Sequence, residues 1–360
     1  MEAKNISFKS TRQEASFFLD ARQSINQYFA TRNRSFNGNL EMALKCTFWI
    51  CFWMFSWGLV ILFKNNFWIA FMAGLLHMFT HVMLAFNITH DANHFAIFKT
   101  KRFNVLLGYL VELIGCNRTL WILAHNQDHH TFINIIEHDN SVEGHKLIRL
   151  CPQDKWLKHH KYQWIYAPII YGLTTLNYVT MRDFKMMLIY HSKSKINLSA
   201  GFVLELILFK LLYFSYLIAV PIFIFDVNPQ LVFGYFLLGH FINGIFLAFV
   251  FLIGHMTEDT DYPNVRDGAI QTNWAVHVIK TTGDYATRTK FMQWFVGGIN
   301  MHVVHHLFPH ICHVHYKNIS PILKEVALRH GYKYREIPTF WSAIRSHILL
   351  LKTLGKRNVF

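Results

Sequence analysis

The sequence predicts an all-α integral membrane protein, with four transmembrane helices in two hairpins and a cytosolic helical cap built around histidines. Of its 360 residues, 52% are hydrophobic and only 16% charged, well under the roughly 25% of a soluble domain. Four apolar stretches, at about 46–63, 67–86, 203–225 and 231–254, each reach the roughly 20 residues a helix needs to cross a hydrocarbon core of about 30 Å. There are 23 histidines, and such an excess of the commonest metal-ligating side chain calls for metal or proton chemistry. A net charge of +14 beside 34 Phe and 10 Trp fits a protein in lipid with a wet, positive face and argues against a nucleic-acid binder.

The arm 1–45 carries Lys4, Lys9, Arg12 and Arg22 without an apolar run of leader type, so the N-terminus is expected in the cytosol. Within it, residues 16–30 place Phe18, Ile25 and Phe29 near helical spacing, which predicts an amphipathic helix lying on the membrane or cap. The first hairpin, 46–86, turns at Lys64-Asn65-Asn66, and the second, 203–254, at Asp226-Val227-Asn228-Pro229. Turns this short make each pair antiparallel and put both turns on one surface. The loop 87–202 and the tail 255–360 then share the other side with the arm. Of the 35 Lys and Arg, 7 lie in the arm, 13 in the loop and 13 in the tail, leaving only Lys64 and Lys210 elsewhere. The excess of cations places those three segments in the cytoplasm.

Between the hairpins, Asn104 to Cys116 is apolar but short and contains Glu112, so an interfacial or re-entrant helix is expected. No repeat or linker divides the chain, which reads as one domain over 1–360. Cys46, Cys51, Cys116, Cys151 and Cys312 form no CxxC pair and read as reduced, packed thiols.

Three histidine clusters stand out: His90 and His94; His125, His129 and His130; His302, His305 and His306. Each contains an i, i+4 pair, which a helix stacks on one face about 6 Å apart, close enough to share an ion or bracket two. A helix leaving the bilayer near residue 86 carries His90 and His94 only about 6 to 12 Å beyond it. His255 follows the fourth apolar stretch directly, bringing a ninth imidazole to the same depth. One zinc needs only three or four ligands, so nine imply two metals. All-nitrogen ligation at the membrane edge suits a non-haem di-iron centre that uses O2 on a long apolar chain. Zinc hydrolysis is disfavoured because no HExxH is present.

Asp91, Asn93 and Asp128 are expected to orient imidazoles rather than to ligate. His77 and His81 lie inside the second apolar stretch and, on a straight helix, face away from His90. They read as hydrogen-bonded packing. His159, His160, His191, His330 and His347 stand among charged residues and are expected to be solvated.

At these residues the sequence resembles the membrane-bound fatty acid desaturase family, whose three boxes take the forms HxxxH, HxxxHH and H/QxxHH. The likeness extends through FNITHDANH at 86–94, HHTFINI at 129–135, NWAVH at 273–277, GGINMHVVHHLFPHICHVHY at 297–316 and PTFWSAIRSH at 338–347. It is most similar to bacterial linoleoyl-CoA or front-end desaturases, over nearly the whole chain. The resemblance implies two iron ions, O2 as oxidant, a long-chain acyl group on CoA or lipid in a bent tunnel, and two electrons from an external carrier. It implies iron ligation by His90, His94, His125, His129, His130, His255, His302, His305 and His306, with the eight box histidines forming the catalytic set. His277 is a reserve candidate for a ligand or a headgroup contact.

Two departures matter. Front-end relatives begin the third box with Gln, where this chain has His302, and Phe95 stands where a small Gly is expected, which would narrow the space beside the irons. The fused cytochrome b5 domain of many eukaryotic relatives, with its HPGG motif, is not found. A separate cytochrome b5 or ferredoxin-type carrier with its reductase is therefore expected, and the +14 charge suits an acidic one. Hydroxylases of the same superfamily share these boxes and form the main alternative. A metal transporter would line a midplane path with its ligands instead, and a haem carrier would use His77, His81 and His240.

Overall fold

The computed structural model describes residues 6–139 and 146–357. It is mainly helical and divides into two compact units. The span unit comprises Leu40–Ile122 and Pro168–Ala248; the terminal unit comprises Met1–Asn39, Leu123–Ala167 and Phe249–Phe360.

Most of four helices long and apolar enough to cross a membrane belong to the span unit: Leu40–Leu62, Phe67–Asn93, Ala200–Ile224 and Pro229–Leu252. Short polar residues start two of them. Asn66 Oδ1 accepts the Ile69 N–H at 3.2 Å and Ser199 Oγ accepts that of Phe202 at 3.2 Å, each satisfying a donor that the first turn leaves open. Only 22% of the third helix's apolar window is buried, and its exposed Leu204, Leu208 and Leu211 are side chains suited to lipid. Inside, Val60, Met78, Tyr213, Leu217, Leu231 and Tyr235 form the core. Gly74 admits the Tyr235 ring so closely that a Cβ there would lie 2.3 Å from it. Lys64 Nζ, in the first short turn, donates to Phe225 O at 2.8 Å beside the second.

The second helix is not straight. A π-helical turn at Ala85–Thr89 precedes His90–Asn93, and such a turn holds more residues than an α-turn. A 100° wheel carried from His77 to His90 therefore fails. His77 and His81 are nonetheless packed as expected: His77 Nδ1 lies 3.0 Å from Trp53 O and His81 Nε2 2.9 Å from the Tyr216 hydroxyl. His240 Nε2 likewise meets the Tyr213 hydroxyl at 2.9 Å. The predicted helix over 104–116 is broken into Lys101–Gly108 and Leu110–Leu113. The chain then turns, with Lys101–Leu113 and Arg118–His129 bent by 106°. Glu112 holds the elbow, accepting from Asn117 Nδ2 at 3.0 Å and the Arg118 N–H at 2.6 Å.

Phe95 has φ of 59°, a left-handed conformation that glycine adopts freely and a bulky side chain does not. Its ring is partly exposed with Lys101 Nζ 5.4 Å above it. Trp121 packs beside the first histidine pair, its ring centre 5.9 Å from that of His90 and 6.0 Å from that of His94.

In the terminal unit, helix Arg12–Thr31 begins with a reciprocal cap: Thr11 Oγ1 accepts the Glu14 N–H at 3.2 Å, and Glu14 Oε2 accepts that of Thr11 at 3.0 Å. Phe17, Ala21, Ile25 and Phe29 are its buried face, packed among Val276, Ile319 and Leu323. Phe17 joins this stripe by spacing of four from Ala21, and Phe18, as expected, packs partly buried against the same core. Two short parallel pairings tie the unit, Ser7–Phe8 with Ala269–Ile270 and Asp284–Tyr285 with Glu336–Ile337.

Two histidines expected in solvent are buried. His160 accepts the Leu157 N–H at 3.0 Å through Nδ1 and meets Lys146 O at 3.1 Å through Nε2, while His347 Nδ1 meets Met256 O at 2.8 Å. Main-chain partners make their burial affordable. His159 and His191 are exposed, and His330, partly buried, pairs with Asp20 at 2.8 Å.

Candidate metal centre

Two histidine groups, each with ligand atoms within 4.8 Å of one another, lie in the terminal unit: His129, His255, His302 and His306; and His130, His305 and His306. Local backbone geometry presents them. The second cluster lies on a π-helical stretch, Leu123–His129, whose i→i+5 pattern brings both i+4 and i+5 beside residue i. His125 thus stacks on His129 with ring centres 5.4 Å apart and has its Nε2 3.3 Å from that of His130. The third cluster forms the short helix His302–Leu307, entered through Gly297 and Gly298 at φ of 61° and 72°. Asp284 Oδ1 accepts the Val303 N–H at 2.9 Å and so anchors that helix at its start. His255 stands just past Leu252, where the fourth apolar helix ends.

The protons on these rings decide what the group can hold. His255 Nδ1 lies 3.2 Å from Thr281 O, His302 Nδ1 2.8 Å from Ile299 O, and His129 Nδ1 3.1 Å from both oxygens of Asp139. Carbonyl and carboxylate oxygens only accept, so each Nδ1 carries the proton and each Nε2 carries a lone pair. Yet His255 Nε2 is 2.7 Å from His302 Nε2 and 3.0 Å from His306 Nε2. Lone pairs this close repel unless a cation lies among them. Burial, with neighbouring imidazoles second, holds His255 and His306 well below the usual histidine range, which disfavours a proton there and leaves the group able to hold a metal ion. A neutral all-imidazole set suits iron, copper or zinc.

In the span unit, His90 and His94 face each other with ring centres 4.9 Å apart, and His90 Nδ1 lies 3.6 Å from Asp91. Asn93 Oδ1 accepts from Arg118 Nε at 2.8 Å. His277 is fully buried against Phe8, ring centres 5.5 Å apart, and burial pushes it down to about 4. The sequence reading missed Asp139, Asp284, and Tyr316, whose hydroxyl is 3.4 Å from His305 Nδ1.

A mainly helical chain with four helices able to cross a membrane and buried all-histidine groups able to hold metal defines a class of membrane protein equipped to bind metal. A family model described as fatty acid desaturase matches residues 66–338. A sn-1 linoleoyl-lipid 6-desaturase of Synechocystis sp. is 31% identical over 364 residues, covering 99% of this chain and 100% of that protein. The enzyme of the same name from Arthrospira platensis is 30% identical over 342 residues, 94% and 92% of the two chains. An acyl-lipid (8-3)-desaturase of Physcomitrium patens is 29% identical over 347 residues, 94% of this chain and 72% of that one. The chain belongs to the fatty acid desaturase family, and with it to the oxidoreductases of lipid metabolism.

Proposed function

We propose that the protein is an O2-dependent desaturase of long-chain acyl groups carried on membrane lipid, with two non-haem irons held by His90, His94, His125, His129, His130, His255, His302, His305 and His306. The inward lone pairs of His129, His255 and His302 carry this reading. The relatives named for linoleoyl-lipid favour a lipid-borne chain over an acyl-CoA.

Two irons held there would supply the redox chemistry, the reduction of O2 to two waters with two electrons from a carrier and two from the C–H bonds that become the alkene. The protein's own part is to hold and exclude. Asp139, Thr281 O and Ile299 O fix the ring protons on Nδ1, which leaves the Nε2 of His129, His255 and His302 each with a lone pair for a metal. Burial of His129, His255, His302 and His306 excludes bulk water from those nitrogens.

In this reading 1–360 is one desaturase domain: arm 1–45, hairpin 46–86, loop 87–202, hairpin 203–254 and tail 255–360. The Lys64–Phe225 contact supports two hairpins turning on one side. The concentration of Lys and Arg in arm, loop and tail supports a cytoplasmic active site and termini. It also suits an acidic cytochrome b5 or ferredoxin-type donor with its reductase.

The test is expression with a competent reductase in a host fed saturated and unsaturated acids. Glycerolipids and acyl-CoA are separated, and their acids are derivatised for gas chromatography–mass spectrometry. A new double bond appearing first in glycerolipid is expected, and His129→Ala and His305→Ala should abolish it without loss of membrane insertion. A hydroxylated acid would replace this reading with a hydroxylase. No product despite loaded iron and electron supply would overturn it.

A further inference from the structure

We propose that one face of the terminal unit docks the headgroups of anionic phospholipids. It is formed by residues 155–165 and the last turns of helix Phe340–Leu354, distant in sequence but pinned together. Gln163 Nε2 donates to Leu351 O at 2.8 Å and to Arg149 O at 3.1 Å, and Trp156 Nε1 donates to Gly355 O at 2.8 Å. Gly355 sits so tightly on His160 that a Cβ would lie 2.5 Å from its carbonyl oxygen. The surface is therefore built rather than a chance meeting of loops.

Six cations project from it: Lys155, Lys158, Lys161, Lys352, Lys356 and Arg357 are all exposed. Among the described residues none of the six forms an ion pair. Three of them stand over aromatic rings: Lys352 Nζ is 5.4 Å from the centre of Trp164, Lys161 Nζ 5.6 Å from that of Tyr162, and the Arg357 guanidinium 6.0 Å from that of Trp156. Beside them Tyr162 is 55% and Ile165 56% exposed.

Like charges that form no internal ion pair among the described residues call for an anionic partner. Trp and Tyr interleaved with Lys and Arg form the side-chain set of a membrane–water boundary, where rings sit at headgroup level and cations reach phosphates. Exposed Ile165 and Tyr162 favour a partner with an apolar layer just behind its negative charge, which a bilayer has and an acidic protein does not. A chain with four membrane-crossing helices meets such lipid without a diffusional search. The inference rests on the membrane helices and not on the chemistry proposed above, so either can fail alone.

The full-length protein would be reconstituted in phosphatidylcholine membranes with a trace of spin-labelled phosphatidylglycerol or phosphatidylcholine. Electron paramagnetic resonance reads the fraction of each label held at the protein surface. A preference of about threefold or more for phosphatidylglycerol is expected at low ionic strength, fading with added salt. Lys155→Gln/Lys158→Gln/Lys161→Gln and, independently, Lys352→Gln/Lys356→Gln/Arg357→Gln should each reduce it. Arg22→Gln/Arg32→Gln/Arg34→Gln, an equal loss of charge elsewhere on the unit, should not. No preference in the wild type, or the same preference in both patch variants, would overturn the proposal. So would salt-sensitive capture of polyglutamate by the patch without any lipid preference, which would assign the face to an acidic protein.

Discussion

Asp139 sets a carboxylate against the Nδ1 of His129, whereas the Nδ1 of His255 and that of His302 meet neutral carbonyls. A carboxylate partner raises the basicity of the opposite nitrogen, and losing such a partner weakens metal affinity by about 10–100-fold. We expect Asp139→Asn to lower the affinity of the purified apoprotein for iron(II) or cobalt(II) by about that factor in chelator competition. An unchanged affinity would show that Asp139 does no more than cap the Asn134 N–H, 3.0 Å from its Oδ2. Gly254 tests the same group sterically. A Cβ there would lie 2.6 Å from the His302 ring, so Gly254→Ala should push that imidazole aside and reduce metal retained per chain, while helix content by circular dichroism holds. The histidines themselves were legible because i, i+4 spacing survives in sequence. Asp139 was not, since Glu137, Asp139 and Asp128 look alike until the loop after His130 is folded.

At the scale of elements, the sequence reading assumed α-helix under every cluster, and the departures are the informative part. The π-helical Leu123–His129 and the π-turn at Ala85–Thr89 leave no mark in composition or periodicity. The short helix His302–Leu307 is held instead by a residue outside it. Asp284 accepts from the Val303 N–H at 2.9 Å, from the Tyr334 hydroxyl at 2.6 Å and from Ser320 Oγ at 3.3 Å. Even so, burial pushes its carboxyl up to about 6. A carboxyl raised in the folded state binds its proton more tightly than in the unfolded chain, so its contribution to stability is greatest below about pH 4 and is lost as pH rises toward 6. Asp284→Asn keeps an acceptor for Val303 and removes that loss. Its thermal midpoint in detergent should therefore gain on the wild type as pH is raised from 4.5 to 7. A difference that stays constant across that range would contradict the argument. Asp284→Ala leaves three donors without their acceptor and should cost about 1–3 kcal/mol at every pH.

For the whole molecule, hydropathy made the four apolar helices legible, with ends that moved by at most seven residues, as from 86 to Asn93. What it could not read is why Lys210 lies within the third. That lysine is one of two cations the sequence leaves outside arm, loop and tail, and its partner Asp183 stands 27 residues earlier in what reads as a cytosolic loop. The structure gives Lys210 Nζ 2.7 Å from Asp183 Oδ2, with both side chains buried, and lets the ammonium donate to Gly115 O at 2.6 Å and Tyr178 O at 3.2 Å. Asp183 Oδ2 in turn accepts the Asn117 N–H at 2.8 Å. One ion pair thus fastens the third apolar helix to the elbow from which the second histidine cluster springs. Burying charges is costly, and removing Lys210 leaves the buried Asp183 with the longer contact to Arg182 Nη1, 3.9 Å from its Oδ1, a loss of up to about 3–5 kcal/mol. Lys210→Met should accordingly lower the folded fraction recovered by fluorescence-detected size exclusion and drop the thermal midpoint steeply. Lys210→Met with Asp183→Asn removes both charges while keeping an acceptor for Asn117, and should recover most of that loss. If the single variant is as stable as the wild type, the pair does not fasten the elbow. If the double variant is no better than the single, the lysine acts through its two carbonyls rather than through Asp183.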